Sequence, residues 1–244
     1  MIETIALMTA RSGSKSVPHK NILPCAARHV PMFLPNVKAA VDASQIDAVY
    51  TISDIPLVHS FAEYYDYNCI ERPAELCGDD VPHYDVMRYG VEEILKNHPE
   101  THYIVLLLGN NCGCSSSDLN RAIEKLRAHP GCDSVMSVGV FNQFNPYRAF
   151  KHVGFGKLAP FLEDVNIPTN ANDKNAAGDI YFFNGSFWVV TLRAFLANDG
   201  LQPYPWLGNC IMHQVQSEYI QEIDSWWQYD LVTQFENKDY DKDN

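Results

Sequence analysis

Short apolar runs alternate with helix-spaced apolar patterns through the first 140 residues, and no other feature constrains the fold as strongly. Ile5-Ala6-Leu7-Met8 reads as a buried strand. Apolar residues recur at helical spacing from Val30 to Ala43, and Ala48 to Ile52 reads as the next strand. Leu57 to Tyr65 and Tyr84 to Leu95 follow as helices, Tyr103 to Leu108 as a strand, Leu119 to Leu126 as a helix and Ser134 to Val140 as a strand. Such alternation predicts an α/β fold, a parallel sheet with helices on both faces. Ligands of these sheets sit beyond the C-terminal ends of the strands. The loop after Met8, Ser53-Asp54 and the turn after Leu108 should therefore share one edge.

From about Tyr147 the rhythm changes. Tyr147 to Val153 and Ile180 to Val190 read as strands, separated by a polar loop at 165–178 of the kind that closes over substrate. A short helix at Leu192 to Leu196, a strand at Cys210 to Met212 and a helix at Trp226 to Phe235 complete the pattern. The 244 residues read as one domain with a small extension at about 147–180 and a frayed polar tail at 237–244.

A formal charge of −12 argues against nucleic-acid binding, which needs a basic surface. No apolar run approaches the ~20 residues of a membrane span, and no secretory leader is expected, so the chain reads as cytoplasmic. Seven cysteines suit free or buried thiols, and Cys112-Gly113-Cys114 is too tight for a zinc knuckle. Trp206, Trp226, Trp227 and Tyr229 would suit a buried interface, although packing of the core and the last helix is the expected use.

The basic residues that matter are clustered early. After the first strand come Thr9-Ala10-Arg11-Ser12-Gly13-Ser14-Lys15 and, five positions on, Lys20-Asn21. Small residues at a strand's end let backbone N–H groups wrap phosphate oxygens, and Arg11, Lys15 and Lys20 can neutralise a polyphosphate. Asn21 adds an amide that both donates and accepts, as base or ribose recognition requires. No Gly-Lys-Ser/Thr closes a Walker loop, and the Gly-x-Gly-x-x-Gly fingerprint is absent.

The pattern Ala-Arg-x-Gly-Ser-Lys-x-x-x-x-Lys-Asn over residues 10–21 resembles the signature of the acylneuraminate cytidylyltransferases, which make CMP-activated sialic and related nonulosonic acids. The resemblance continues through Tyr50-Thr51-Ile52-Ser53-Asp54 and through Glu71-Arg72-Pro73-Ala74-Glu75-Leu76 with Asp79. In the family, the arginine of the second segment helps hold the cytosine nucleotide. His83 and Tyr84 are expected to cap and pack the following helix. Phe183-Asn184-Gly185-Ser186-Phe187 looks like the family's acceptor segment, with a glycine bulge in a strand as the structural alternative. Glu222-Ile223-Asp224 resembles the Asp-Ile-Asp that holds magnesium; on a strand both carboxylates would face one ion, and an N-cap for the next helix is the alternative for Asp224.

Two departures stand out. The family's Gln-Pro-Thr-Ser-Pro-Leu-Arg after the strand at 103–108 is replaced by Leu108-Gly109-Asn110-Asn111-Cys112-Gly113-Cys114. Its Arg-rich stretch is replaced within 165–178, where Lys174 is the remaining cation. Nucleotide features are thus retained and acceptor features rewritten.

The resemblance implies a glycosyltransferase-A-like nucleotidyltransferase fold, mostly parallel, and often a homodimer formed through the extension. It implies CMP transfer from CTP to an anionic acceptor with release of pyrophosphate. Ala10, Arg11, Ser12, Gly13, Ser14, Lys15 and Lys20 would hold the triphosphate, while Asn21 and Arg72 read the nucleoside. Asn110, Asn111, Asn184, Gly185 and Phe187 would line the acceptor pocket, and Asp224 with Glu222 would bind Mg²⁺. Transfer to a phosphonate or another acceptor, a different nucleotide, and a silent nucleotide-binding protein are the alternatives.

Overall fold

The computed structural model of the chain describes residues 2–25, 30–111, 113–163, 166, 173, 178–198, 208–215 and 222–239. Eleven strands are formed by the described residues: β1 Thr4–Ala10, β2 Pro24–Cys25, β3 Val30–Pro31, β4 Ala48–Ser53, β5 Asn68–Glu71, β6 Tyr103–Leu108, β7 Ser134–Val140, β8 Phe150–His152, β9 Leu158–Pro160, β10 Tyr181–Thr191 and β11 Cys210–Gln214. The helices are α1 Leu34–Val41, α2 Pro56–Ser60, α3 Ala62–Tyr65, α4 His83–Leu95, α5 Ser116–Arg127, α6 Leu192–Leu196 and α7 Trp226–Asp239.

Seven of these strands make one sheet in the order β11-β7-β10-β6-β1-β4-β5. The expected mostly parallel sheet is present: β10 alone runs antiparallel, between β6 and β7. That reversal matters for the site. The other strands end at one edge, and β10 begins there, so its first residues join the loops that follow β1, β4, β6 and β7.

β1 and β6 are buried on both sides, which explains their unbroken apolar sequence. Ala6, Met8, Val105 and Leu107 face a core shared with α1 and α5. Ile5, Leu7, Ile104 and Leu106 face the opposite core, shared with α4 and Phe195 of α6. Each fully buried aliphatic side chain stabilises the fold by ~1.5–3 kcal/mol. A Cβ at Gly90 of α4 would come within 2.9 Å of Leu7, so this glycine lets the helix lie close against β1. Tyr84 packs in the same core and its hydroxyl donates to the Phe195 carbonyl at 2.9 Å.

Several boundaries differ from the sequence reading. The helical pattern from Val30 begins as a helix only at Leu34, because Val30 and Pro31 pair with Pro24-Cys25. Val30, before Pro31, is held extended, and Pro35 fits the first turn of α1. The 57–65 pattern breaks at Phe61 into α2 and α3. Tyr147 lies in a 3-10 turn, and the strand expected there is the shorter β8, paired with β9 in a two-stranded hairpin. Trp226 and Trp227 are exposed rather than packed inside, whereas the Tyr229 hydroxyl donates to the Pro24 carbonyl at 2.7 Å. The six described cysteines are free thiols. Cys112, Lys174, Trp206, most of the 165–178 loop and residues 240–244 of the tail lie outside the described residues.

Candidate active site

Arg11 leaves the end of β1 and turns its guanidinium toward the 77–79 segment. Its Nη1 donates to the carbonyls of Gly78 (3.1 Å) and Cys77 (3.4 Å), and Nη2 lies 2.9 Å from Asp79. Lys15 reaches the other oxygen of Asp79 at 3.0 Å. Lys20 begins a 3-10 turn after His19, whose φ is 58°, and its ammonium lies 2.6 Å from Asp224. The three predicted phosphate cations are therefore brought to one sheet edge, each facing a carboxylate.

Asp54, at the end of β4, clamps the loop by accepting from the Ser12 N–H at 2.8 Å and the Ser12 hydroxyl at 2.5 Å. Burial pushes its pKa up, but these bonds and the nearby Arg72 charge outweigh burial and hold it below the ordinary carboxylate value. Ser14 Oγ accepts from the Val17 N–H at 3.4 Å. A Cβ added at Gly13 would have nothing within 4 Å, so the fold itself makes no demand for glycine there.

Asn21 and Arg72 take roles that the sequence reading did not assign. The Asn21 side chain is buried and its Nδ2 donates to the Arg11 carbonyl at 2.7 Å, closing the loop on itself. Arg72 is also buried, with Nε and Nη2 both donating to the Leu76 carbonyl at 2.9 and 2.6 Å. Each ties together the segment it belongs to. Pro82, not His83, stands at the N-cap of α4, and His83 Nε2 lies 2.6 Å from Thr9 Oγ1 at the end of β1. Burial, followed by the positive fields of Arg72 and Arg11, pushes its pKa down to about 4.

The other half of the site is built around β10. Its pairing with β7 shifts register between Phe183 and Trp188, so the glycine bulge lies within the 183–187 segment. Gly185 has φ 77°, and a Cβ there would lie 2.9 Å from the Glu222 Cβ. Glu222-Ile223-Asp224 lies outside the strands and helices, and Asn110 pins it. The Asn110 Nδ2 donates to Glu222 Oε1 (3.1 Å) and to the Ile223 carbonyl (3.2 Å), and its own carbonyl accepts from the Ile223 N–H at 2.9 Å. Ile223 is buried against Cys25, Met32 and Val232, which leaves the acids on either side of it in one cavity.

That cavity, of about 250 Å³, is lined by Phe141, Phe144, Phe182, Phe183, Asn184, Gly185, Glu222, Asp224 and Gln228. Burial, then the neighbouring Asp224, raises the Glu222 pKa. Asp224 does not cap α7 with its side chain; Gln228 Oε1 reaches back to accept from the Asp224 N–H and the Ser225 hydroxyl.

Three predicted acceptor contacts need correction. Asn111 is buried behind Asn184, whose carbonyl it binds through Nδ2 at 3.1 Å. Asn110 likewise stands behind Glu222. Phe187 is fully buried in the core with Val105 and Leu107, because residues beyond the bulge return to regular pairing with β6. The phenylalanines that do line the cavity, at 141, 144 and 182, were not singled out. Their nearest sequence signal is position: two follow β7 and one precedes Asn184-Gly185.

No protein-family profile matches the chain. It is 26% identical over 219 residues to N-acylneuraminate cytidylyltransferase B of Danio rerio, covering 90% of this chain and 48% of that protein. It is 28% identical over 170 residues to a Helicobacter pylori protein named as pseudaminic acid cytidylyltransferase and UDP-2,4-diacetamido-2,4,6-trideoxy-beta-L-altropyranose hydrolase, covering 69% of this chain and 32% of that one. The chain thus spans about half or less of the length of these curated relatives. A solved CMP:2-keto-3-deoxy-manno-octonic acid synthetase complexed with CTP shares the fold, with a TM-score of 0.67, 15% identity and coverage of 97% of this chain and 99% of that one. In sequence the chain is similar to N-acylneuraminate cytidylyltransferases, and in fold, a mostly parallel α/β sheet with helices, to that synthetase.

Proposed function

We propose that the chain transfers CMP from CTP to a sugar acid. A hydroxyl oxygen of the acceptor attacks the α-phosphorus and releases its proton to water, the bond from that phosphorus to the β-phosphate oxygen breaks, and pyrophosphate leaves with the electron pair. The observation that carries this reading is the gathering of Arg11, Lys15 and Lys20 at the same sheet edge as the cavity of Glu222 and Asp224. Arg11 and Lys15 would exchange Asp79 for phosphate oxygens, and Gly13 would allow the backbone to approach them closely. Lys20 would neutralise charge on the departing pyrophosphate. Position and charge stabilisation supply the rate, since this chemistry asks little covalent work of the protein.

The residues present suit Mg²⁺. The ion favours one or two carboxylates completed by phosphate and water oxygens, and Glu222 and Asp224 both line the cavity. Among the described residues no larger cluster of acid, His or Cys ligands competes for it. When bound there, the ion would add positive charge at the phosphates and polarise their oxygens. Asn110 would hold Glu222 in place meanwhile. We propose further that the chain works as a homodimer, for which the exposed apolar β8–β9 hairpin is suited.

Pyrophosphate release with CTP, Mg²⁺ and a panel of sugar acids tests the reading. Lys20→Ala should lower turnover at least roughly tenfold, because a charged contact to phosphate contributes ~1.5–3 kcal/mol. Unchanged turnover would remove Lys20 from the mechanism.

A further inference from the structure

The ion pair between Lys20 and Asp224 joins the two halves of the site. Residues 204 positions apart in the chain meet at 2.6 Å, one from the loop after β1 and the other from the segment that Asn110 pins. Both are held by their own backbones. Lys20 opens the 3-10 turn that follows the left-handed His19, and the Asn21 amide ties that turn to the Arg11 carbonyl. The Asp224 N–H donates to Gln228 Oε1, and the neighbouring Ile223 is buried.

The partners differ in access. The Lys20 side chain is 15% exposed and the Asp224 side chain 59% exposed. The ammonium therefore lies inside the site, while the carboxylate is open to a cation arriving from solvent. Among the described residues no other cationic side chain pairs with Asp224, and no other carboxylate pairs with Lys20. The charge of Lys20 also reaches Glu222, where it opposes the rise that burial and then Asp224 impose on that acid. Arg11 and Lys15 are placed differently. Their shared partner Asp79, at 2.9 and 3.0 Å, is not among the residues that line the cavity.

Resting on cytidylyl transfer as proposed above, with Asp224 as the metal-binding acid, we propose that Lys20 is an internal counter-ion of Asp224 whose release couples the binding of metal to the binding of triphosphate. While the pair is closed, Asp224 is withheld from a divalent cation and Lys20 is withheld from phosphate. A ligand that needs the open pair binds more weakly by the fraction of molecules in which the pair is open. Either ligand opens it for the other, so the coupling is reciprocal. Arg11 and Lys15 supply phosphate affinity without that coupling, because Asp79 stands apart from the acids of the cavity.

Two titrations of the full chain, each with the other ligand absent, test this. Mn²⁺ serves as the probe cation in phosphate-free buffer, and inorganic pyrophosphate is added in the presence of a chelator. Lys20→Met should bind Mn²⁺ about fivefold more tightly than the wild type, the equivalent of ~1 kcal/mol for a partly exposed ion pair. Lys20→Gln should do the same. Asp224→Asn should bind pyrophosphate more tightly by a similar factor, although it too has lost a group from the site. Lys15→Met removes the same charge from an exposed position and should leave Mn²⁺ affinity within about twofold of the wild type. Mn²⁺ held no more tightly by either Lys20 variant, pyrophosphate held no more tightly by Asp224→Asn, or an equal gain in Lys15→Met overturns the inference, and pyrophosphate release from CTP by the wild type then leaves cytidylyl transfer standing. Absence of that release with every acid in the panel overturns both.

Discussion

At the residue scale, the site depends on groups whose protonation is set by their neighbours. His83 is the clearest case: it sits against Thr9, near the positive charges of Arg11 and Arg72, with its pKa pushed down to about 4. In the unfolded chain an ordinary histidine titrates near ~6.5, so between those values the unfolded state binds the extra proton. The contribution of His83 is thus fully present above that unfolded value and is lost as pH falls toward 4. At about 1.4 kcal/mol per unit, the loss reaches up to about 3 kcal/mol. Unfolding free energies measured from pH 7 to 4 should therefore fall more steeply for the wild type than for His83→Gln. Parallel curves would show that the folded chain protonates this ring freely. The positions of Asn21, Arg72, Asn110 and Asn111 at the site were legible in the sequence, but their partners were not. An amide or guanidinium declares only that it needs hydrogen bonds; the tertiary fold decides that the Arg11 carbonyl, the Leu76 carbonyl, Glu222 and Asn184 supply them.

At the scale of elements, β10 does the most to shape the site. Running antiparallel among parallel strands, it delivers Phe182, Asn184 and Gly185 to the edge where β1, β4 and β6 end. Its bulge needs a residue at φ 77° with no Cβ, since any Cβ would press on Glu222. Gly185→Ala should cost about 1–3 kcal/mol from backbone strain alone, lowering the melting temperature by roughly 2–4 °C per kcal/mol in a chain of this size. It should also shift Glu222 and so weaken catalysis beyond what the lost stability explains. A variant with wild-type melting and turnover would show that the bulge relaxes freely. β1, β6 and β7 were legible because strands buried in a sheet's middle have apolar sequences with little else to satisfy. β5, Asn68-Cys69-Ile70-Glu71, was missed: it is a short edge strand with polar ends. The 222–224 segment kept the predicted alternation without joining a sheet, because Asn110 rather than a neighbouring strand pairs its backbone.

At the scale of the molecule, a chain of charge −12 concentrates cations at one sheet edge and apolar surface on one hairpin. The change of pattern near Tyr147 coincides with the β8–β9 hairpin but did not show its form, because two three-residue strands carry too few positions to show a period. In the β8–β9 hairpin Phe150, Val153, Phe155, Leu158 and Phe161 are all more than half exposed. Five such exposed side chains on one small element give it the apolar character of an association surface. Phe155 stands at its tip between Gly154 and Gly156, at φ 51°, where a bulky residue is strained and aspartate is tolerated better. Phe155→Asp combined with Leu158→Asp should therefore leave the fold intact while placing two charges in the proposed interface. Sedimentation velocity should show the wild type as a dimer and the double variant as a monomer with the same melting temperature at low concentration. If the double variant still sediments as a dimer, the two copies meet elsewhere. The exposed Trp226 and Trp227 at the start of α7 would then be the next surface to charge.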